Sequence, residues 1–313
     1  MNDNNTSWER EVVTQLAESS LREQRRARRW GIFFKSLTFA YIGAIIYMYG
    51  EASFTSVHLN EKHTAVVELN GVIADKEEAN ADSIITALRN AFDNENSAGV
   101  ILRINSPGGS PVQSGYIYDE MRRLREEHPD TPLYAVVTDI CASGGYYIAS
   151  AADKIYADKA SIVGSIGVRM DNFGFVDAIN KLGIERRTLT AGENKALLDP
   201  FLPENEKTKA HMQTMLTEIH QQFIESVKQG RGDRLDASVE GLFSGLIWTG
   251  EAAVDIGLVD ELASSSYVAR EVIGEETIVN YTVKEDILER FAERLGSTVA
   301  QVISTQFFSP SLK

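Results

Sequence analysis

Apolar residues along this chain fall into short buried segments separated by glycine-bearing turns. Thr64 to Leu69 reads as a strand, and Asn70-Gly71 turns the chain before Val72 and Ile73. Between Ala81 and Phe92 the apolar positions 84, 85, 88 and 92 repeat with the helical period. Val100 to Ile104 is the next strand and ends in Asn105-Ser106-Pro107-Gly108-Gly109-Ser110, a glycine-rich turn. A helix is predicted over Tyr116 to Arg125, with Ile117, Met121 and Leu124 on one side. Leu133 to Val137 reads as a buried strand. Ser143 then precedes Gly144, Gly145 and a stretch suited to a packed helix (Tyr146, Tyr147, Ile148, Ala149, Ala151, Ala152), before a short strand, Lys154 to Ala157. Strand, glycine turn and helix recur in that order, which predicts parallel α/β winding.

Two later stripes extend the pattern. A long helix over about 204–228 carries apolar residues at 212, 215, 216, 219, 223 and 227. Thr277 to Val283 reads as a strand, followed by a helix with Ile287, Leu288, Phe291, Leu295, Val299 and Val302 on one stripe. Either stripe suits packing on its own core or on a neighbouring subunit.

One apolar stretch is of a different kind. Residues 30–50 are apolar apart from Lys35 and a few hydroxyls. As a helix they would span about 31 Å, close to the hydrocarbon thickness of a bilayer. Lys35 is near enough to one end to snorkel, and Trp30, Tyr47 and Tyr49 suit the two interfaces. Arg22, Arg25, Arg26, Arg28 and Arg29 immediately precede the stretch. The positive-inside rule then predicts a basic cytoplasmic tail over 1–29, a transmembrane anchor over 30–50 and an extracytoplasmic domain over 51–313. Gly50-Glu51-Ala52 is a poor cleavage site, so an uncleaved anchor is preferred to a signal peptide.

Charge and composition narrow the chemistry. The 313 residues carry a net charge of −14, which argues against nucleic acid as the main partner. A single cysteine, Cys141, excludes an intramolecular disulfide and a cysteine-based metal cage. It reads as small core filling, with a thiol nucleophile as the lesser alternative. The histidines, His58, His63, His128, His211 and His220, form neither a triad pattern nor zinc-site spacing, so neither a metal nor another cofactor is expected.

Ser143 is the candidate for chemistry. It stands at a strand-to-helix turn where glycines permit close backbone approach and a helix start offers free N–H groups to an anion. An ordinary serine N-cap has the same local signature. Two glycine-bearing turns after strands suit acyl transfer, with one presenting a nucleophile and the other donating to the oxyanion. Neither turn fits a dinucleotide fingerprint or a phosphate loop, and no G-x-S-x-G occurs. Without a triad histidine, a lysine held neutral by burial or by nearby cations is the natural base. Composition and periodicity do not single out which lysine.

Four segments in order resemble the signal peptide peptidase A family of serine peptidases in its short, single-domain form: Asn105-Ser-Pro-Gly-Gly109, Ala142-Ser-Gly-Gly-Tyr-Tyr147, Val163-Gly-Ser-Ile-Gly-Val168, and Trp248-Thr-Gly250 with Gly257-Leu-Val-Asp260. The likeness covers about 64–263. It implies the repeated ββα fold shared by Clp protease and crotonases. It also implies Ser143 as nucleophile, Lys195 as general base, Ser165 as the serine that orients the lysine, and Gly109 as an oxyanion donor. Gly144 is inferred as the second donor. Leu198-Asp-Pro-Phe201 departs from the family's Gly-Ser-Pro after the lysine. Peptides in or near the membrane are the implied substrates. A ring-shaped homo-oligomer is implied too, in which Ser143 and Lys195 of one site can come from different chains. The rivals are a crotonase-type acyl-CoA enzyme and an inactive membrane scaffold of the same fold.

Overall fold

The computed structural model describes residues 3–52 and 61–283. The chain divides into two compact units, Met1–Asn60 and Glu61–Lys313. The first holds one helix, α1 (Asp3–Ala52). Its exposed side chains include Trp30, Ile32, Phe33, Phe34, Leu37 and Phe39. Among the described residues no helix is long and apolar enough to cross a membrane. The anchor expected over 30–50 therefore lacks support here. Lys35, Ser36 and Thr38 dilute its first half, and the side chains of 45–50 lie outside the described residues. The stripe from Ile287 to Val302 also lies outside them.

The second unit is an α/β body. It runs β1 (His63–Asn70), α2 (Ala81–Phe92), β2 (Ser97–Ser106), α3 (Pro111–Glu127), β3 (Leu133–Ala142), α4 (Gly144–Ala149), β4 (Lys154–Ala157) and β5 (Ile162–Gly164). Then come α5 (Val176–Lys181), α6 (Glu206–Arg231), β6 (Ile247–Thr249), α7 (Gly250–Asp255), β7 (Glu261–Leu262), α8 (Ser265–Tyr267) with a π-helical turn (Val268–Ile273), and β8 (Ile278–Asn280). The sheet order is β6-β5-β3-β2-β1-β8, with β4 bridging β3 to β7. Every pairing is parallel except β5 with β6. Both faces are covered, so the strands read as unbroken apolar runs. Ala65, Val67, Leu69, Leu102, Ile104, Ala135 and Val137 pack beneath α2, α3 and α4. Val66, Ile101, Val136 and Tyr156 pack with Val268 and Ala269 of the π-helical turn. At about 1.5–3 kcal/mol for each large apolar side chain buried, this core is what holds the turns in place.

Three differences from the sequence reading position the site. β3 continues past Val137 to Ala142, because its first half pairs with β4 and its second half, from Ile140, pairs with β5. α3 starts at Pro111, five residues before the predicted start at Tyr116, because Ser110 caps Gln113 N and Pro111 suits the first turn. On α6 only Phe223, Val227 and Arg231 are buried, whereas Met212, Met215, Leu216 and Ile219 of the expected stripe stay half exposed. Arg231 fixes the end of α6 by donating to Asp260 Oδ2 at 2.7 Å and Oδ1 at 3.0 Å. From Gly167 to Gln222 no residue is buried, and this long excursion carries Lys195.

Candidate active site

Ser143 follows the last residue of β3 with φ 53° and ψ −123°, a backbone conformation that costs a non-glycine residue about 1–3 kcal/mol. Its side chain makes no capping hydrogen bond, so the N-cap reading fails. The turn is held instead by its main chain. Ser143 N–H donates to Gly164 O at 2.9 Å, and Ser143 O accepts from Tyr147 N at 2.9 Å. The strain is thus maintained by neighbouring β5 and by α4, and the hydroxyl, on a half-exposed residue, is free to react.

The second glycine turn lies directly against this one. Ser106 Oγ donates to Gly71 O at 2.6 Å and accepts from Gly108 N at 3.1 Å. Ile73 N donates to Gly108 O at 3.0 Å, and Ser110 N donates to Ile73 O at 2.8 Å. The segment after β1 therefore clamps residues 108–110. A Cβ built on Gly108, at φ +98°, would stand 2.7 Å from both Gly144 N and Ser143 Cβ, so only glycine fits. A Cβ on Gly144 would stand 2.5 Å from Ser114 Oγ and 3.2 Å from Gly109 N. The N–H groups of Gly109 and Gly144 and the Ser143 side chain consequently share one small region. Neither N–H donates to a protein acceptor among the described residues. Gly144 opens α4, where a helix leaves its first N–H groups unpaired. Free, preorganised donors beside a strained serine are what an oxyanion requires.

Ser165 lies one residue beyond the Ala142–Gly164 pair of β3 and β5, which places it beside Ser143 in register. It too has a positive φ, 53°, and its N–H donates to Leu246 O at 2.7 Å. Lys195 is different. It is exposed in a turn where its own N–H donates to Gly192 O at 3.1 Å. No hydrogen bond or ion pair joins its side chain to Ser143 or Ser165 among the described residues. One chain thus brings together Ser143, Gly109, Gly144 and Ser165, and among the described residues joins none of them to Lys195 by a hydrogen bond or ion pair.

Of the other candidates, His58 lies outside the described residues and His211 is exposed, while the remaining ones are occupied elsewhere. Cys141 is fully buried, and burial pushes its thiol far up, away from the reactive thiolate. His63 meets Tyr281 and the Glu61 carbonyl, and His128 packs on Phe92. His220 Nε2 lies 3.1 Å from Ile166 O, next to Ser165. From the sequence, Ile73 and Ser114 are given no role in the site and His220 is set aside with the other histidines, since none of them stands in a motif that marks it.

Comparison with known proteins agrees with this geometry. Residues 125–277 match the model described as Peptidase family S49, and residues 59–162 match that of Clp protease. A Brucella abortus protein named "Na(+)/H(+) antiporter NhaA" is 45% identical over 189 residues, which is 60% of this chain. The chain spans only 25% of that relative's length. "Protease 4" of Haemophilus influenzae is 33% identical over 248 residues, covering 77% of this chain and 39% of the relative. "Putative signal peptide peptidase SppA" of Enterococcus faecium is 30% identical over 268 residues, covering 81% of this chain and 77% of the relative. A match that runs through most of both chains, on a fold that sets two glycine turns around one strained serine, places this chain in peptidase family S49.

Proposed function

We propose that this chain is a membrane-attached serine endopeptidase in which Ser143 is the nucleophile and Lys195 the general base. The observation that carries the reading is the meeting of two unpaired N–H groups, Gly109 and Gly144, at a strained serine whose hydroxyl caps nothing. Neutral Lys195 takes the proton from Ser143 Oγ as Oγ attacks a peptide carbonyl carbon. The two N–H groups hold the resulting oxyanion, each worth about 3 kcal/mol. Lys195 then protonates the leaving amine, and water taken through the same lysine hydrolyses the acyl ester. Ser165 orients the lysine. Family membership leaves the acyl-CoA alternative without a motive.

Lys195 must lose solvent to be neutral at working pH. Its exposure, on an excursion without a buried residue, supports a base that serves, and is desolvated against, the Ser143 site of a neighbouring chain. A ring of subunits would do this at every site. Exposed Trp30, Phe33 and Phe34, stacked edge and face on α1 and preceded by the arginine cluster, support attachment to a membrane with the peptidase unit outside the cytoplasm. Substrates would then be peptides in or beside that membrane.

A fluorophosphonate tests the nucleophile: mass spectrometry should locate the adduct on Ser143 and find none in Ser143→Ala. An adduct elsewhere, with Ser143 unmodified, would overturn the mechanism. Alkaline phosphatase fused after residue 60 should be active in a bacterial host. Activity only of a cytoplasmic reporter at that point would reverse the orientation.

A further inference from the structure

The turn that carries Ser165 is held residue by residue, each by a different element. Gly164 O accepts from Ser143 N, Ser165 N donates to Leu246 O, and Ile166 O lies 3.1 Å from His220 Nε2. A carbonyl oxygen only accepts, so Nε2 carries the proton and the imidazole donates. Of these three ties the last is the only one made by a side chain. The flanks of the turn are closely packed. Gly164 lies against the Trp248 ring, where a Cβ would approach Cε3 to 2.7 Å, and Gly167 lies against Gly245.

His220 also occupies a distinctive place on α6. The packed face of that helix continues through Phe223, Val227 and Arg231, spaced as one helical stripe. N-terminal to Phe223 nothing on α6 is buried, nor is anything in the excursion back to Gly167. His220 therefore stands where the helix leaves the body, one turn before its first buried residue, and reaches from there to the Ser165 turn. The excursion it terminates bears Lys195.

We infer that His220 is a positioning residue for the proposed serine–lysine chemistry: its Nε2–H donates to Ile166 O, holding the Ser165 turn in register with Ser143 and linking that turn to the helix that follows Lys195. It touches neither substrate nor the reacting atoms. Losing the donor lets Ile166 O and the strained Ser165 turn relax, which misaligns the hydroxyl that orients the base. The inference rests on the Ser143 and Ser165 reading above.

The test compares His220→Gln with His220→Glu in the full chain, two side chains of the same shape of which only glutamine donates an N–H. His220→Leu is the third variant. Rates are expressed per site titrated with fluorophosphonate, so that loss of folded protein does not count as loss of catalysis. His220→Glu and His220→Leu should lower kcat about tenfold or more, the scale of a small misplacement at a reacting centre, with KM changed less than about twofold. His220→Gln should recover most of kcat. If all three variants turn over like the native chain per titrated site, or if the glutamine and glutamate variants are equally slow, His220 has no such role. Should His220→Leu fail to fold, the glutamine–glutamate pair still decides. The same titration separates the two readings, since an adduct absent from Ser143 removes the mechanism itself, whereas an adduct on Ser143 with unaltered His220 variants removes only this inference.

Discussion

The α/β body and the excursion from Gly167 to Gln222 obey different rules, although only Ile166 separates Ser165 of the first from the start of the second. In the body the central strands β1, β2 and β3 are covered on both faces, and even the strained φ of Ser143 and Ser165 is held by main-chain hydrogen bonds to adjacent strands and turns. In the excursion Phe173, Leu182, Ile184 and Leu189 are exposed and nothing is buried. The nucleophile and the oxyanion donors belong to the first region, and Lys195 belongs to the second. On the proposed serine–lysine reading, a peptidase site divided this way is preorganised in its electrostatics and incomplete in its base. Packing in one region fixes geometry without help, whereas the other needs a surface to lie on before its lysine can be desolvated.

Five variants probe that contrast, beginning with the largest effect. Ser143→Ala should reduce peptide hydrolysis by at least about a thousandfold, because the members of a nucleophile–base unit fail together. Its melting temperature should stay close to native, since no buried atom is lost. Wild-type turnover by the pure variant would end the assignment. Next, Leu102→Ala in the body should cost about 2–5 kcal/mol in a denaturant melt, while Leu189→Ala, fully exposed, should stay within about 0.5 kcal/mol. Equal losses would show that the excursion packs as tightly as the body.

Ser165→Ala should slow hydrolysis by about tenfold, less than Ser143→Ala, as it removes orientation rather than the attacking atom. Steady-state kcat on a peptide substrate reads this directly, and a loss equal to that of Ser143→Ala would give Ser165 a reacting role. The smallest effect is on acid stability. Hydrogen bonds from Arg123 and then Arg89 hold the Glu120 carboxyl at about 2, below its usual 4.5. A carboxylate depressed by folding contributes stability above its unfolded value and loses it as pH falls through the folded one. Native protein should lose stability between about pH 4.5 and 2, and Glu120→Gln should flatten that limb of the melting curve. An unchanged limb would mean these exposed arginines contribute nothing measurable, as many surface pairs do.

What the sequence discloses follows the same division. Apolar runs and glycine pairs located the two turns of the body because buried strands must be apolar and tight turns must lack Cβ. The end of β3 was missed because Thr138 and the largely exposed Asp139 interrupt the run, and the strand continues beyond them only because pairing resumes with β5 at Ile140. The 212–219 part of the α6 stripe showed the right period but not what covers it, and in one chain nothing buries it. Lys195 has no local signature, since an exposed lysine in a turn resembles any other, and only the family resemblance pointed to it. His220 was invisible for a related reason. Its meaning lies in one hydrogen bond to a carbonyl 54 residues away in sequence.

The central claim is that the body's nucleophile is completed by a lysine from another chain. Ser143→Ala and Lys195→Ala, each inactive alone, should be dissociated, mixed and reassembled, with hybrid oligomers verified by native mass spectrometry. Partial recovery of peptide hydrolysis, in proportion to the hybrid fraction, is the expected result, because each hybrid contains sites pairing an intact Ser143 with an intact Lys195. Verified hybrids with no recovered activity would contradict it and return Lys195 to the same chain as the serine it serves.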